Sequence, residues 1–382
     1  MKTTPLPGGH TLCHDARAVI IRLKGSCRVL STSYLNGGIR EDIRCLFNFC
    51  DIYDSPDDRC EMRAPTNEGH LVSIAEELGL PPELTTGLST AAHMRHVSPR
   101  TESYRDFSVT AIATAGIDVN GSRAGDPAFW HEKDGVPFLE KPGTINIYLL
   151  IDAHLTAGAL ARALVTCSEA KTAALQEVLA PSLYSSGPAT GSGTDGTIIV
   201  SNTGSPTRLT CAGHYSKLGE YIGRVVKAAV KESLVAENGF KNYARGSVLR
   251  NLKRFGLNSE KLLAAYGEVY KTRGKGTAGG SFPGGALPAP EEMDFPTALK
   301  RLDSNDGLIA RAAVFAHLLD LLQWNLIDPE DAVQIAESLL AGIAAILKIP
   351  PPPCRIEKSE NGAASRELLD CLARTLAAGI TP

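Results

Sequence analysis

Apolar and polar positions along the first two thirds of the chain follow two rhythms. Ala18-Val19-Ile20-Ile21-Arg22-Leu23 and Arg28-Val29-Leu30-Ser31-Thr32-Ser33 are short runs rich in branched residues. The Lys24-Gly25-Ser26 connection between them suits a hairpin. Thr86 to Arg95, Phe107 to Thr114 and Thr197 to Ser201 read as further strands. Gly143 to Ile151 begins by alternating and ends as a continuous apolar run, the pattern of a central strand with one polar corner. The other rhythm is helical. Thr156 can cap a helix running to about Leu179, and Ser216 opens another in which Leu218, Ile222, Val225, Val226, Ala229 and Val230 recur on one face. The spacing predicts an α+β domain over about residues 12–238, a mixed, largely hairpin-built sheet packed with long helices.

After residue 240 the pattern changes. Residues 241–275 hold nine Lys/Arg against two Asp/Glu, and Gly274 to Gly285 reads as a flexible linker. Leu308 to Trp324, a helix opened by Asp328-Pro329-Glu330, and Ser365 to Ala378 then predict a smaller all-helical C-terminal unit. The organisation expected is an α+β domain over 1–240, a basic segment and Gly/Pro-rich linker over 241–290, and a helical unit of unknown role over 291–382. The basic run with Tyr243 and Phe255 could contact nucleic acid, but a solvated basic helix against an acidic neighbour is the favoured reading. The helical unit is the candidate surface for a homo-oligomer or a protein partner.

A chain of 382 residues is long enough for two or three domains, and its formal net charge of -3 favours neither nucleic acid nor an anionic membrane. The N-terminal residues carry no apolar run of the secretory kind, and Leu339 to Leu347 is far short of the ~20 residues a membrane span needs. A cytoplasmic protein is expected. The nine cysteines are odd in number and contain no Cys-x-x-Cys pair, so reduced thiols are expected throughout. Cys45, Cys50 and Cys60 with His70 are too irregularly spaced for a metal site and read better as small buried residues, and neither His93-x-x-His96 nor His10-x-x-x-His14 has a third ligand at recognisable spacing.

Absent signatures narrow the chemistry. No Gly-x-Ser-x-Gly elbow, His-Glu-x-x-His helix or phosphate-binding Gly-Lys-Ser/Thr loop occurs. Gly191-Ser192-Gly193-Thr194-Asp195-Gly196 matches a dinucleotide fingerprint in letters, but it sits between a helix and a strand in the wrong order. It is read either as a tight turn or as a polar loop, from Thr190 to Asp195, whose N–H groups and hydroxyls line a pocket. Thr166, Glu169 and Thr172 fall on one face of the first long helix, and Lys171 points elsewhere. Glu169 is a general-base candidate or part of a solvated face. His214 precedes the second long helix and is either structural or a proton donor beside an oxyanion-binding helix start. Asn36-Gly37-Gly38 reads as a turn, or with Thr144 and Asn146 as groups that orient a carboxamide-rich ligand.

The motifs matter most as an ordered set. Leu35-Asn36-Gly37-Gly38, Val109 to Gly116, Ala124-Gly125-Asp126-Pro127, Pro142 to Ile147, Ser168 to Gln176, Ser186 to Asp195 and Ser216 to Arg224 together resemble the adenosylcobinamide amidohydrolases, the CbiZ family, over roughly residues 15–235. The resemblance implies a corrinoid salvage hydrolase that cuts the amide joining the corrin side chain to the aminopropanol arm. Its products would be adenosylcobyric acid and 1-amino-2-propanol. On the matching positions, Glu169 or Asp195 is cast as base, Lys171 or the helix start near Ser216 as oxyanion support, and His214 as acid; Thr144 as nucleophile is the rival scheme. Asn36, Gly37, Gly38, Thr144, Asn146, Thr190, Gly191, Gly193 and Thr194 are the candidate substrate-binding set. No motif requires a cofactor or a metal, and the corrinoid substrate carries its own cobalt. The alternative is a corrinoid-binding or carrier module without hydrolytic activity. The tail from about residue 240 lies outside the resemblance.

Overall fold

The computed structural model describes residues 1–52, 62–117, 119–128, 144–237, 246–275, 289–350 and 361–380. The chain divides into two units, Met1–Tyr184 with Pro188–Lys241, and Ser185–Gly187 with Asn242–Pro382. In the first unit the strands up to the first helix are β1 (Lys2–Pro5), β2 (Thr11–His14), β3 (Ala18–Arg22), β4 (Cys27–Ser31), β5 (Gly38–Arg40) and β6 (Cys45–Cys50). Helix α1 (Asn67–Glu77) is followed by β7 (Thr85–Thr90), β8 (Ser98–Tyr104), β9 (Phe107–Ala115), β10 (Gly121–Ser122), β11 (Ile145–Ile151) and β12 (His154–Leu155). Then come α2 (Ala157–Glu177), β13 (Gly191–Ser192), β14 (Gly196–Asn202), β15 (Arg208–Leu209) and α3 (Lys217–Glu237).

Two sheets carry the fold, one ordered β1-β2-β3-β6-β7 and the other β5-β4-β14-β11-β9-β8. Within these two sheets, neighbours run antiparallel except β6 with β7 and β11 with β14, which are parallel and joined through α1 and α2 respectively. The sheets face each other across an apolar layer that includes Val19, Ile21, Leu46 and Leu88 from one and Val29, Ile112, Tyr148 and Ile198 from the other. Polar contacts stitch this layer at chosen points: Ser31 Oγ lies 2.9 Å from Thr86 Oγ1, and the buried Tyr148 hydroxyl donates to the Phe47 carbonyl. The outer face of the first sheet buries Ala18, Ile20 and Phe47 under Leu71 and Ile74 of α1. The outer face of the second lies under α2 and α3, so the unit is an α–β–β–α stack. Ala111, Ala113 and Ala115 of β9 are fully buried, and their small size brings α3 close enough for Ser233 Oγ to accept from the Ala115 amide. By the usual ~25 cal/mol per Å² of apolar surface, burying the Ile222–Val226–Val230 stripe of α3 outweighs any helix propensity lost to its branched residues.

The α+β class and both long helices match the sequence reading, and Thr156 caps α2 by accepting from the Ala159 amide. The expected strand pairing is overturned. β3 and β4 do not form a hairpin: β3 pairs with β2 and β6, whereas β4 pairs with β5 and β14. Gly25, at φ +74°, turns the chain from one sheet into the other, because both strands bury more side-chain surface between the sheets than a two-stranded ribbon could. The strand expected over Thr86 to Arg95 ends at Thr90, and a single 3₁₀ turn covers Met94–His96.

The second unit is helical: α4 (Val248–Lys253), α5 (Ser259–Lys275), α6 (Phe295–Asp303), α7 (Asp306–Gln323), α8 (Pro329–Leu347) and α9 (Asn361–Ala378). Leu252, Leu262, Tyr266, Phe315, Leu319 and Leu372 form its core. The basic run therefore supplies α4 and α5. Arg254 forms a two-pronged pair with Asp320, and Lys261 Nζ lies 2.8 Å from Asp370. Most of the expected linker, residues 276–285, lies outside the described residues. Cys371 is disulfide-bonded, which corrects the expectation of reduced thiols throughout; Cys13, Cys27, Cys45, Cys50, Cys167 and Cys211 are free. Among the described residues, no helix is long and apolar enough to cross a membrane.

Candidate functional site

Helix α2 serves two loops at once. Thr166 Oγ1 donates to the Ala212 carbonyl at 2.8 Å, and one turn later Glu169 Oε2 lies 2.6 Å from His214 Nε2. Gly219 permits this approach, because a Cβ there would stand 2.1 Å from the Gly213 carbonyl oxygen. Ser216 Oγ accepts from the Gly219 amide and so caps α3 directly after the histidine. The Glu169–His214 pair is open to solvent, at 45% and 62% side-chain exposure. Tyr215, beside it in sequence, is fully exposed.

The other loop is closed. Lys171 forms an ion pair with Asp195 Oδ2, the two side chains being 15% and 12% exposed. The same carboxylate accepts from the Ile145 amide at 3.0 Å, the Ser192 amide at 3.0 Å and Ser192 Oγ at 2.5 Å. Thr144 Oγ1 donates to the Thr194 carbonyl at 2.6 Å, and Thr172 Oγ1 to the Thr190 carbonyl at 3.1 Å. Thr190 Oγ1 in turn accepts from the Ala124 amide. A Cβ on Gly191 would meet Asp195 Oδ2 at 2.3 Å and Lys171 Nζ at 2.7 Å, so the ion pair itself requires a glycine there. Gly193 and Thr194 are exposed at the loop tip.

The four residues cast for catalysis thus meet as two pairs, Glu169 with His214 and Lys171 with Asp195. Of the binding set, Asn146 is buried, donating to Asn48 Oδ1 and the Ser89 carbonyl at 2.9 Å each, and Asn48 passes the chain on to Thr114 Oγ1. Asn36, at φ +51°, donates to the Pro82 and Thr85 carbonyls and accepts from Arg40, while Gly37 and Gly38 complete the turn. These two asparagines hold backbone.

A third cluster escaped the sequence reading in part. His93 Nδ1 lies 2.8 Å from Glu237 Oε1 and His96 Nδ1 2.5 Å from Glu237 Oε2. Glu237 is 144 residues from His93, so no spacing rule could have joined them. His10 and His14 part company: His10 Nδ1 accepts from the Lys24 amide, and His14 Nε2 lies 2.9 Å from the Met94 carbonyl. Burial depresses the His10 pKa. It also pushes the Cys50 thiol up to about 11 and Cys167 to about 12, which keeps both protonated and unsuited to nucleophilic attack. Cys60 lies outside the described residues.

A family profile described as adenosylcobinamide amidohydrolase, CbiZ, matches residues 6–242. The chain belongs to this family. It is 36% identical over 179 residues to an uncharacterized protein of Methanocaldococcus jannaschii, MJ1613, a match covering 44% of this chain and 69% of that one. The crystal structure of the PH0078 protein from Pyrococcus horikoshii OT3 aligns over 62% of this chain and 81% of its own, with a TM-score of 0.28 and 13% identity.

Proposed function

We propose that the chain hydrolyses adenosylcobinamide at the amide between the corrin side chain and the aminopropanol arm, giving adenosylcobyric acid and 1-amino-2-propanol. Membership of the family supports the substrate class. The observation that carries the chemistry is the solvent-open Glu169–His214 pair, since it combines a carboxylate with the side chain best suited to exchanging protons near neutral pH.

In this reading Glu169 fixes the ring through Nε2, and Nδ1 takes a proton from water. The water oxygen bonds to the amide carbon, and the carbonyl electrons move onto oxygen. Amides at the start of α3 other than those of Gly219 and Glu220, which Ser216 engages, supply the donors that balance this charge. Collapse breaks the C–N bond, and the imidazolium returns its proton to the departing amine. Asp195, with four donors on two oxygens, is better suited to holding the loop than to acting as base, and Lys171 is already engaged by it. Tyr215 offers an exposed ring on which a flat macrocycle can lie.

Incubation of the purified chain with adenosylcobinamide, followed by chromatography of corrinoids and amines, tests the reading. Adenosylcobyric acid and 1-amino-2-propanol should accumulate in equal amounts. Tight binding of intact adenosylcobinamide without either product would replace the enzyme with a carrier.

A further inference from the structure

We propose that His93, His96 and Glu237 form a binding site for one divalent transition-metal ion. Their ligand atoms all lie within 4.8 Å of one another, the one such group of three among the described residues. Two imidazoles and one carboxylate select zinc-like ions over magnesium or calcium, which prefer all-oxygen shells. Three protein ligands leave a coordination position open to water.

The surroundings hold the three groups in place. Met94, fully buried, anchors the 3₁₀ turn that carries both histidines, and the His96 amide donates to the His93 carbonyl. The His93 amide donates to both Glu237 oxygens, at 3.1 and 3.0 Å, which aims the carboxylate at the turn. Ser233, one turn earlier on α3, ties that helix to the end of β9. Side-chain exposures of 37%, 19% and 12% leave the cluster reachable from solvent.

Both Nδ1 atoms now lie against the carboxylate. Bonds of ~2.1 Å at tetrahedral angles need ligand separations of about 3.4 Å, so an ion seats itself if each gap opens by less than ~1 Å. Arg95 Nε donates to His96 Nε2 at 3.1 Å; once the metal takes Nδ1, the ring proton moves to Nε2 and the exposed Arg95 swings away.

The test reads metal and not turnover, so it stands whether or not the corrinoid reading holds. Full-length chain is stripped with chelator, dialysed against Zn²⁺ and analysed for metal per chain; Co²⁺ is then titrated with visible absorption as the readout. One equivalent of zinc and ligand-field bands from cobalt are expected. Affinity should fall at least ~100-fold in Glu237→Gln and in His96→Gln, each checked for an unchanged circular dichroism spectrum. Less than a tenth of an equivalent in the parent, or parental affinity in both folded variants, overturns the site and leaves Glu237 as a capping carboxylate.

Discussion

Two ion pairs leave the same helix two residues apart and end in opposite circumstances. Lys171 and Asp195 are mostly buried, and every oxygen of the carboxylate is committed to a backbone or side-chain donor of the 192–195 loop or of β11. Glu169 and His214 stand in solvent with one contact between them. Removing a partner from the first strands a desolvated charge; removing one from the second costs little stability. The difference separates a pair that builds the fold from the pair to which the proposed function assigns the chemistry.

The comparison is sharpened most by His214. Substitution by Asn should lower kcat on adenosylcobinamide by at least ~100-fold while shifting stability by no more than about 0.5 kcal/mol. Steady-state rates and a urea midpoint check it, and a variant with parental kcat would break the account. Lys171→Met should do the reverse, costing about 2–4 kcal/mol in denaturant unfolding because Asp195 loses its cation, with kcat of the folded fraction within a few-fold of the parent. A large kcat loss at unchanged stability would return Lys171 to the reaction.

Smaller effects follow from packing. Gly191→Ala should cost about 1–3 kcal/mol, since the carboxylate its Cβ meets is held by four donors and cannot step aside. Equal stability to the parent would mean that the loop is softer than its bonds imply. Tyr215→Ala should raise KM by roughly 5–10-fold and leave kcat and stability alone, the loss of one stacked aromatic contact. An unchanged KM would remove Tyr215 from the corrin surface.

Local physics was readable in the sequence and distant pairing was not. Thr156, Ser216 and the Leu218–Val230 stripe announced both long helices because capping and 3.6-residue periodicity involve residues within a few turns of one another. The Lys24-Gly25-Ser26 turn misled for the complementary reason: a turn fixes where the chain bends, whereas burial between two sheets decides which strand each side pairs with. Of the candidate site, the face carrying Thr166 and Glu169 was legible from helix geometry, and so was the separate direction of Lys171. Their partners were not, because Ala212, His214 and Asp195 arrive through β14 and its flanking loops, 24 to 46 residues on. Asn36 shows why spacing alone left a turn and a ligand contact side by side. An amide beside two glycines suggests a ligand, but a residue at positive φ spends its side chain on nearby carbonyls.

The central claim is that the open pair carries the chemistry, and Glu169→Gln tests it most directly. Initial rates on adenosylcobinamide and the thermal midpoint are measured on one preparation of the variant and one of the parent. The account predicts a rate at least ~100-fold lower with a midpoint within about 2 °C, because the amide keeps the shape but cannot pair with an imidazolium. A variant that releases adenosylcobyric acid at the parental rate would contradict it.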